Sequence, residues 1–232
     1  MSHRILLIDD DPSISEMLEK FLLKEGYFVL TAFNGEEGLA LFQKEEIDLI
    51  VIDIMMPKLD GIEAIKMIRE RSTVPILIIS AKDTDVDKAL GLGFGADDYL
   101  AKPFSLVEFS ARIKSSIRRV TKYAGNSEPI YNQVVSFGLF TADLNNYSVH
   151  KENEEIKLTS KEFELLKLFL TNQNRVFTKD DLYSLVWQEH YLGNDNVING
   201  HIRRLREKVE EEPSNPKYLQ TLWGIGYKWV SH

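Results

Sequence analysis

The sequence predicts a doubly wound α/β domain with a five-stranded parallel sheet, followed by a separate α+β domain. Three observations carry this. Up to about Val120, short β-branched apolar runs alternate with amphipathic helical stretches. Then Ala124-Gly125-Asn126-Ser127-Glu128-Pro129 has the composition of a linker. Beyond it, short strand-like runs precede three helical stretches and a glycine-turned hairpin. The boundaries that follow are 1–121 for the first domain, 122–133 for the linker and 134–232 for the second domain.

In the first domain the runs are Ile5–Ile8, Tyr27–Thr31, Leu49–Ile52, Ile76–Ile79 and Tyr99–Ala101. Runs this short and β-branched suit strands buried on both faces. Between them Ile14, Met17, Leu18, Phe21 and Leu22 form one helical stripe, and Leu106, Phe109, Ile113 and Ile117 form another. Gly91, Gly93 and Gly95 lack dinucleotide-fingerprint spacing and read as loop geometry. In the second domain Val134–Asp143, Tyr147–His150 and Glu155–Leu158 suit antiparallel strands, with Asn145-Asn146 and Glu152-Asn153-Glu154 as turns. Thr159-Ser160-Lys161-Glu162 and Thr178-Lys179-Asp180-Asp181 each read as a capping box opening a helix. A third helix runs from about Asn196 to Glu210. Tyr218–Leu222 and Tyr227–Val230 close the chain as a hairpin around Trp223-Gly224-Ile225-Gly226.

Composition narrows the function. Hydrophobic residues make up 44% and charged residues 28%, a balance that supports packed cores and excludes disorder as the main state. With no cysteine, a disulfide framework and a thiolate metal or redox site are excluded. No apolar run approaches the ~18 residues of a membrane helix, and no signal-peptide pattern opens the chain, so the expected location is the cytoplasm. The histidines at 3, 150, 190, 201 and 232 have no metal-ligand spacing and read as surface residues. A net charge of −8 disfavours nucleic acid on its face, but its distribution is uneven. Through Val120 there are 21 acidic and 15 basic side chains, whereas Asn196–Lys208 holds four Lys/Arg against Glu207 alone.

Polar residues end the first domain's strands: Asp9, Asp10 and Asp11, then Asp53, Ser80 and Lys102. In an open parallel sheet those ends share one edge, at the crevice where strand order reverses. Carboxylates, a hydroxyl and a lysine gathered there suit metal-assisted phosphoryl transfer. A hard cation takes oxygen ligands, one carboxylate serves as nucleophile, and lysine and hydroxyl stabilise phosphoryl charge.

In order and spacing, four segments resemble the receiver domain of bacterial response regulators. They are Ile5-Leu6-Leu7-Ile8-Asp9-Asp10-Asp11, Asp53-Ile54-Met55-Met56-Pro57 with Asp60-Gly61, Ser80-Ala81, and Tyr99-Leu100-Ala101-Lys102-Pro103-Phe104. The resemblance implies that Asp53 is the phospho-acceptor, supplied by a sensor histidine kinase. It implies Mg²⁺ held by Asp9, Asp10, Asp53 and the Met55 backbone carbonyl. Ser80 would be the switch hydroxyl, Lys102 its charge partner, and Tyr99 an aromatic that rotates inward. The Lys102–Pro103 peptide is implied to be cis. In relatives with winged-helix outputs, the receiver's fourth helix, last strand and fifth helix form a two-fold dimer face. The matching pairs are Lys88 with Glu108, Asp98 with Arg112, and Asp97 with Arg119.

Along the third helix of the second domain, Ile198, Ile202, Leu205 and Val209 recur on one face. Asn196, Asn199, Arg203 and Arg206 recur on another, flanked by Arg204 and Lys208. Arginine and asparagine on an exposed face suit base edges and phosphates. With Leu158-Thr159-Ser160-Lys161-Glu162-Phe163, His201-Ile202-Arg203-Arg204-Leu205-Arg206 and Gly224-Ile225-Gly226-Tyr227, the domain resembles the winged helix-turn-helix output of the OmpR/PhoB family. The resemblance implies a phosphorylation-driven homodimer on direct-repeat promoter DNA. The third helix would lie in the major groove, the hairpin wing would reach the minor groove, and the loop Trp187–Asp195 would touch RNA polymerase. It implies a regulator rather than an enzyme, with at most self-phosphorylation from small donors and slow self-dephosphorylation. Two positions depart from the pattern. Gly200 replaces a commonly β-branched residue at about 1 kcal/mol of helix stability, and Trp223 stands where many relatives carry arginine.

Two other readings remain. Asp9-Asp10-Asp11-Pro12-Ser13 also resembles the start of haloacid-dehalogenase-type phosphatases, which would make Asp9 the nucleophile and Asp11 the acid/base. A protein-binding adaptor with a degenerate output domain is the third.

Overall fold

The chain folds as two compact units, Met1–Thr121 and Lys122–His232, in the computed structural model. The structure describes residues 3–81, 91, 93–124, 134–152, 154–187 and 195–230, without the side chains of 118–124, 195 and 196.

The first unit runs β1 (Arg4–Ile8), α1 (Pro12–Lys24), β2 (Phe28–Ala32), α2 (Gly35–Lys44), β3 (Leu49–Asp53), α3 (Gly61–Arg69), β4 (Ile76–Ser80), β5 (Asp98–Ala101) and α4 (Leu106–Ala124). Its strands pair in parallel in the order β2-β1-β3-β4-β5. The chain crosses from β2 past β1 to β3, so strand order reverses between β1 and β3. Their register aligns Ile8 with Ile52, which brings Asp9 and Asp53 to the same level beyond it. Burial follows the sequence pattern closely in the sheet, where every residue of β3 and β4 is buried. Ile5, Leu7, Val51 and Leu77 pack with Leu18, Leu22, Phe109 and Ile113 in one core. The helical stripes are narrower than their sequence spacing suggests: Met17 and Leu106 are exposed, because each helix touches the sheet along one line only. Gly91 and Gly93 are helical rather than in a loop, and a side chain at Gly91 would collide with Ile78. Among the described residues, no helix is long and apolar enough to cross a membrane.

The second unit opens with an antiparallel sheet of β6 (Val134–Phe137), β7 (Phe140–Asp143), β8 (Ser148–Lys151) and β9 (Glu154–Glu155). Val134–Asp143 is therefore a hairpin and not one strand. Gly138, at φ +54°, turns the chain between Phe137 and Phe140, whose rings stack 5.3 Å apart. The strand expected at Glu155–Leu158 lies instead at Glu154–Glu155, taking in the last residue of the expected turn, before α5 (Ser160–Thr171). After it come β10 (Val176–Phe177), α6 (Lys179–Trp187), α7 (Asp195–Val209), β11 (Leu219–Leu222) and β12 (Gly226–Trp229), with the strands in the order β10-β12-β11. Thr159 and Glu162 form a full capping box on α5. Asp181 plays the glutamate's part on α6, exchanging hydrogen bonds with Thr178. Strand β10, two residues long, leaves no periodicity to read.

One close approach places the end of β3. Gly61 begins α3 directly against the Asp53–Ile54 backbone, and a Cβ there would stand 2.1 Å from the Asp53 carbonyl oxygen. Gly61→Ala is therefore expected to destabilise the first unit by about 1–3 kcal/mol, since rigid backbone must move to admit a methyl. Urea unfolding of the full chain with a probe on the first unit measures this; wild-type stability would contradict the packing.

Candidate functional site

The acidic site is assembled from three strand ends. Asp9 follows β1, Asp53 ends β3 and Lys102 follows β5, all at the edge where parallel strands finish. Both carboxylates are buried, Asp9 at 0% and Asp53 at 5% exposure. The Lys102 Nζ donates to Asp9 Oδ2 at 2.8 Å and to Asp53 Oδ2 at 2.6 Å. The other oxygens accept from backbone: Asp11 N–H reaches Asp9 Oδ1 at 2.9 Å, and Met55 N–H reaches Asp53 Oδ1 at 2.9 Å. Burial pushes the Asp9 carboxyl above its ordinary value, against the pull of Lys102. Burial also draws the Lys102 ammonium down, but its bonds to Asp53 and Asp9 outweigh that and hold it above the usual lysine value.

Asp10 is exposed, and its ligand atom lies within 4.8 Å of those of Asp9 and Asp53. Three oxygen donors, two held firmly and one open to water, match what a hard divalent cation such as Mg²⁺ takes. Ser80 is fully buried at the end of β4, one residue beyond the Ile79 that registers with Asp53. Tyr99 is buried on β5 in register with Ile78, and the Lys102–Pro103 peptide is cis, as the resemblance implies. Asp11 is elsewhere: its carboxylate caps α1, accepting from Ser13 N–H at 2.8 Å and Ile14 N–H at 3.3 Å. That use removes the acid/base the phosphatase reading needs.

The described residues of the expected dimer face already bond within one chain. Asp97 is 1% exposed and turns inward, accepting from Arg69 Nη2 at 2.7 Å and from Ile76 N–H at 3.0 Å. Those bonds lie within its own unit. Arg112 reaches Asp98 at 2.7 Å and Glu108 at 3.0 Å within one chain. Lys88 and the Arg119 side chain lie outside the described residues.

The cations of α7 also divide by role. Arg203 is 81% exposed and reaches Glu207 on its own helix at 2.8 Å. Arg206 points to the hairpin, donating to the Leu219 carbonyl at 2.9 and 2.6 Å and to Thr221 Oγ1 at 2.8 Å. Asn199 accepts from the Tyr227 hydroxyl at 2.8 Å. Arg204 and Lys208, expected to flank a DNA face, turn to the fully buried Glu162 instead, at 3.4 and 2.6 Å. The Asn196 side chain lies outside the described residues. His201 is 1% exposed and edge-on to Trp187, so it is a core residue and not a surface one. Between α7 and the hairpin lies a groove of about 630 Å³, lined by Lys179, Asn199, Arg203 and Arg206 on one side and by Thr221–Tyr227 on the other. Sequence spacing did not reveal Lys179, Thr221 or Tyr227, because they join the groove only through the fold.

A parallel-sheet acidic site of this build, followed by a helix-and-hairpin unit, defines the class of two-component response regulators. Residues 5–114 match the family described as response regulator receiver domain, and residues 153–229 match transcriptional regulatory protein, C terminal. The transcriptional regulatory protein YcbL of Bacillus subtilis (strain 168) is 55% identical, the alignment covering 96% of this chain and 98% of that one. The alkaline phosphatase synthesis transcriptional regulatory protein PhoP of the same organism is 41% identical over 98% of this chain and 97% of its own. The crystal structure of DrrB, a Thermotoga maritima OmpR/PhoB homolog, aligns over 99% of this chain and 100% of that one at 28% identity and a TM-score of 0.50. The chain belongs to the OmpR/PhoB family of response regulators, whose members here are transcriptional regulators and not enzymes.

Glu162 gives this unit a pH dependence of definite sign. Burial opposes its charge, but Lys208, the Thr159 N–H and Arg204 outweigh that and hold the carboxyl below its ordinary 4.5. A depressed folded value adds stability above the unfolded one, and that stability is lost as pH falls through the folded value. Glu162→Gln is expected to remove about 3 kcal/mol at neutral pH. The gap from wild type should narrow as pH falls below 4.5. Urea unfolding at neutral and acidic pH checks both; a pH-independent gap would contradict the ion-pair origin.

Proposed function

We propose that this regulator accepts a phosphoryl group on Asp53 from a sensor histidine kinase, then pairs with a second copy and binds direct-repeat promoter DNA. The observation that carries this is the Lys102 ammonium bonded to both buried carboxylates, a charge arrangement that a phosphoryl group on Asp53 would reorganise. The domains act as a receiver over 1–121, a linker over 122–133 and an output domain over 134–232. The location is the cytoplasm, where the phosphodonor and the DNA are reached together.

In the transfer, an Asp53 carboxylate oxygen attacks phosphorus as the bond from phosphorus to the donor breaks, and the donor departs with that electron pair. Asp9, Asp10, Asp53 and the Met55 carbonyl would hold Mg²⁺, which when bound offsets charge on the phosphoryl oxygens. Lys102 passes its hydrogen bond from the Asp53 carboxylate to a phosphoryl oxygen, and Ser80 turns its hydroxyl to another. Tyr99, on the neighbouring strand, follows Ser80 inward. The face bearing Asp98, Glu108 and Arg112 then pairs between copies by exchanging bonds these groups already make within one chain. Exposed pairs contribute only about 0–1 kcal/mol each, so the exchange needs the bias that phosphorylation supplies.

In the output domain α7 enters the major groove with Asn199 and Arg203 forward, and the segment 187–195, whose residues 188–194 lie outside the described ones, meets RNA polymerase. Arg206 holds the hairpin to the helix and reaches the DNA from the groove floor.

With acetyl phosphate and Mg²⁺, the wild type is expected to gain one phosphate by mass spectrometry. Asp53→Ala should abolish the adduct, and chelation of the cation should prevent it. Multiple turnover surviving Asp53→Ala would overturn the proposal in favour of a phosphatase. On duplex DNA selected by the protein from a random pool, Arg203→Ala is expected to weaken binding and lower the salt slope by about one. Lys208→Ala should leave the slope unchanged, because that ammonium is committed to Glu162. Equal effects from both would refute the division of roles on α7.

A further inference from the structure

The amide of Asn199 has one end committed before any ligand arrives. Asn199 lies exposed on α7 and lines the groove between that helix and the β11–β12 hairpin. Its Oδ1 accepts from the Tyr227 hydroxyl at 2.8 Å. Tyr227 is 7% exposed and sits on β12, the central strand of its sheet, in register with Phe177 of β10 and Thr221 of β11. The Arg206 guanidinium lies over its ring, 5.7 Å from the centre, and ties α7 to β11 through Leu219 and Thr221. The hydroxyl is therefore a fixed point, and the amide oxygen is turned to the hairpin wall. The Nδ2 group, which makes no bond among the described residues, keeps both hydrogens for the groove.

We infer that Asn199 meets the major groove as a donor alone and selects guanine at one base pair, with Tyr227 as the positioning residue that sets the sense of its amide. This rests on the reading of the second unit as a DNA binder. An asparagine free at both ends pairs with adenine, giving an N–H to N7 and accepting from N6 through its oxygen. With the oxygen held at the hairpin, that two-bond pairing is lost. What then counts is the acceptors that a base edge offers to the remaining N–H groups. Guanine sets N7 and O6 side by side, so the amide finds an acceptor at either; thymine offers O4 alone. Adenine places its N6 donor beside N7, and cytosine presents a donor only. A donor facing a donor gives up a bond to water and gains none, so guanine ranks first and cytosine last. A group held from a central strand discriminates better than a freely turning one, because its orientation is settled before binding.

The test is selection of duplexes from a random-sequence pool by the full-length wild type, by Asn199→Ala and by Tyr227→Phe, with the enriched sequences compared column by column. The wild type is expected to show a column favouring guanine over adenine about tenfold, within the range of a specific base contact. Asn199→Ala should flatten that column and no other. Tyr227→Phe frees the oxygen, so adenine should rise there to at least the level of guanine while the remaining columns keep their order. Asn199 is exposed, so its truncation leaves the packing unchanged. The wild-type column read against that variant decides the sense of the amide even if Tyr227→Phe lowers the unfolding midpoint. Adenine favoured in the wild-type column would overturn the donor assignment, and so would a Tyr227→Phe selection identical to the wild type's. If Asn199→Ala weakens every sequence equally, the amide contacts phosphate, and the donor assignment fails while the DNA reading stands. If no duplex is selected at all, the DNA reading fails and takes the donor assignment with it.

Discussion

The first unit depends on a single ammonium between two buried carboxylates. Asp9 and Asp53 lie side by side where β1 and β3 end, nearly without water. Two anions so placed repel each other and lose hydration, a penalty of several kcal/mol each unless a cation is supplied. Lys102 supplies it from a third strand end. The sheet order, the Ile8–Ile52 register and the close start of α3 all place those three residues. An arrangement balanced in this way is sensitive to any added charge. A phosphoryl group brings at least one more negative charge and new acceptor oxygens, so the lysine must be shared differently and whatever packs on it must adjust.

The second unit solves the same problem with the sign reversed. Here one buried carboxylate, Glu162, gathers cations from α7 while completing the cap of its own helix. Breaking such a group on one side leaves a buried charge unmatched, which makes Glu162 a clasp between α5 and α7. The consequence reaches the outer face of α7. With Arg204 and Lys208 drawn inward and Arg206 drawn to the hairpin, α7 is fixed on both flanks and Arg203 is left outward.

Much of the fold was legible in the sequence, for physical reasons. β3 and β4 bury both faces, so Leu49–Ile52 and Ile76–Ile79 could hardly be anything except interior strands. Acidic and basic residues at the strand ends were legible as a site, because parallel topology sends all such ends to one edge. What failed were side-chain pairings away from that edge, where the partner lies far along the chain. The charge of Asp97 was visible but its partner Arg69 was not, and the pair hides inside the unit. Helical spacing put Arg204 and Lys208 beside Arg203 without showing that Glu162 waits under them. Short local choices were missed too. Gly138 turned one apolar run into a hairpin, and His201 entered the core beside Trp187 although its neighbours on α7 are charged.

The net negative charge and the DNA reading are reconciled by distance. At physiological ionic strength a charge is felt over about 8 Å, so phosphates respond to the groove and not to the whole-chain sum. Most of the acidic excess belongs to the first unit, and within the second Glu162 is enclosed by its own cations. Yet the same enclosure lowers the field available to DNA, since two of the four basic side chains of α7 are spent on it. A lone output domain therefore offers few phosphate contacts and a modest electrostatic contribution to affinity. Two such domains held together make the second contact intramolecular, and the effective concentration this creates multiplies weak binding without any new contact. With so few outward cations on α7, an output domain of this kind gains most from being held beside a second one.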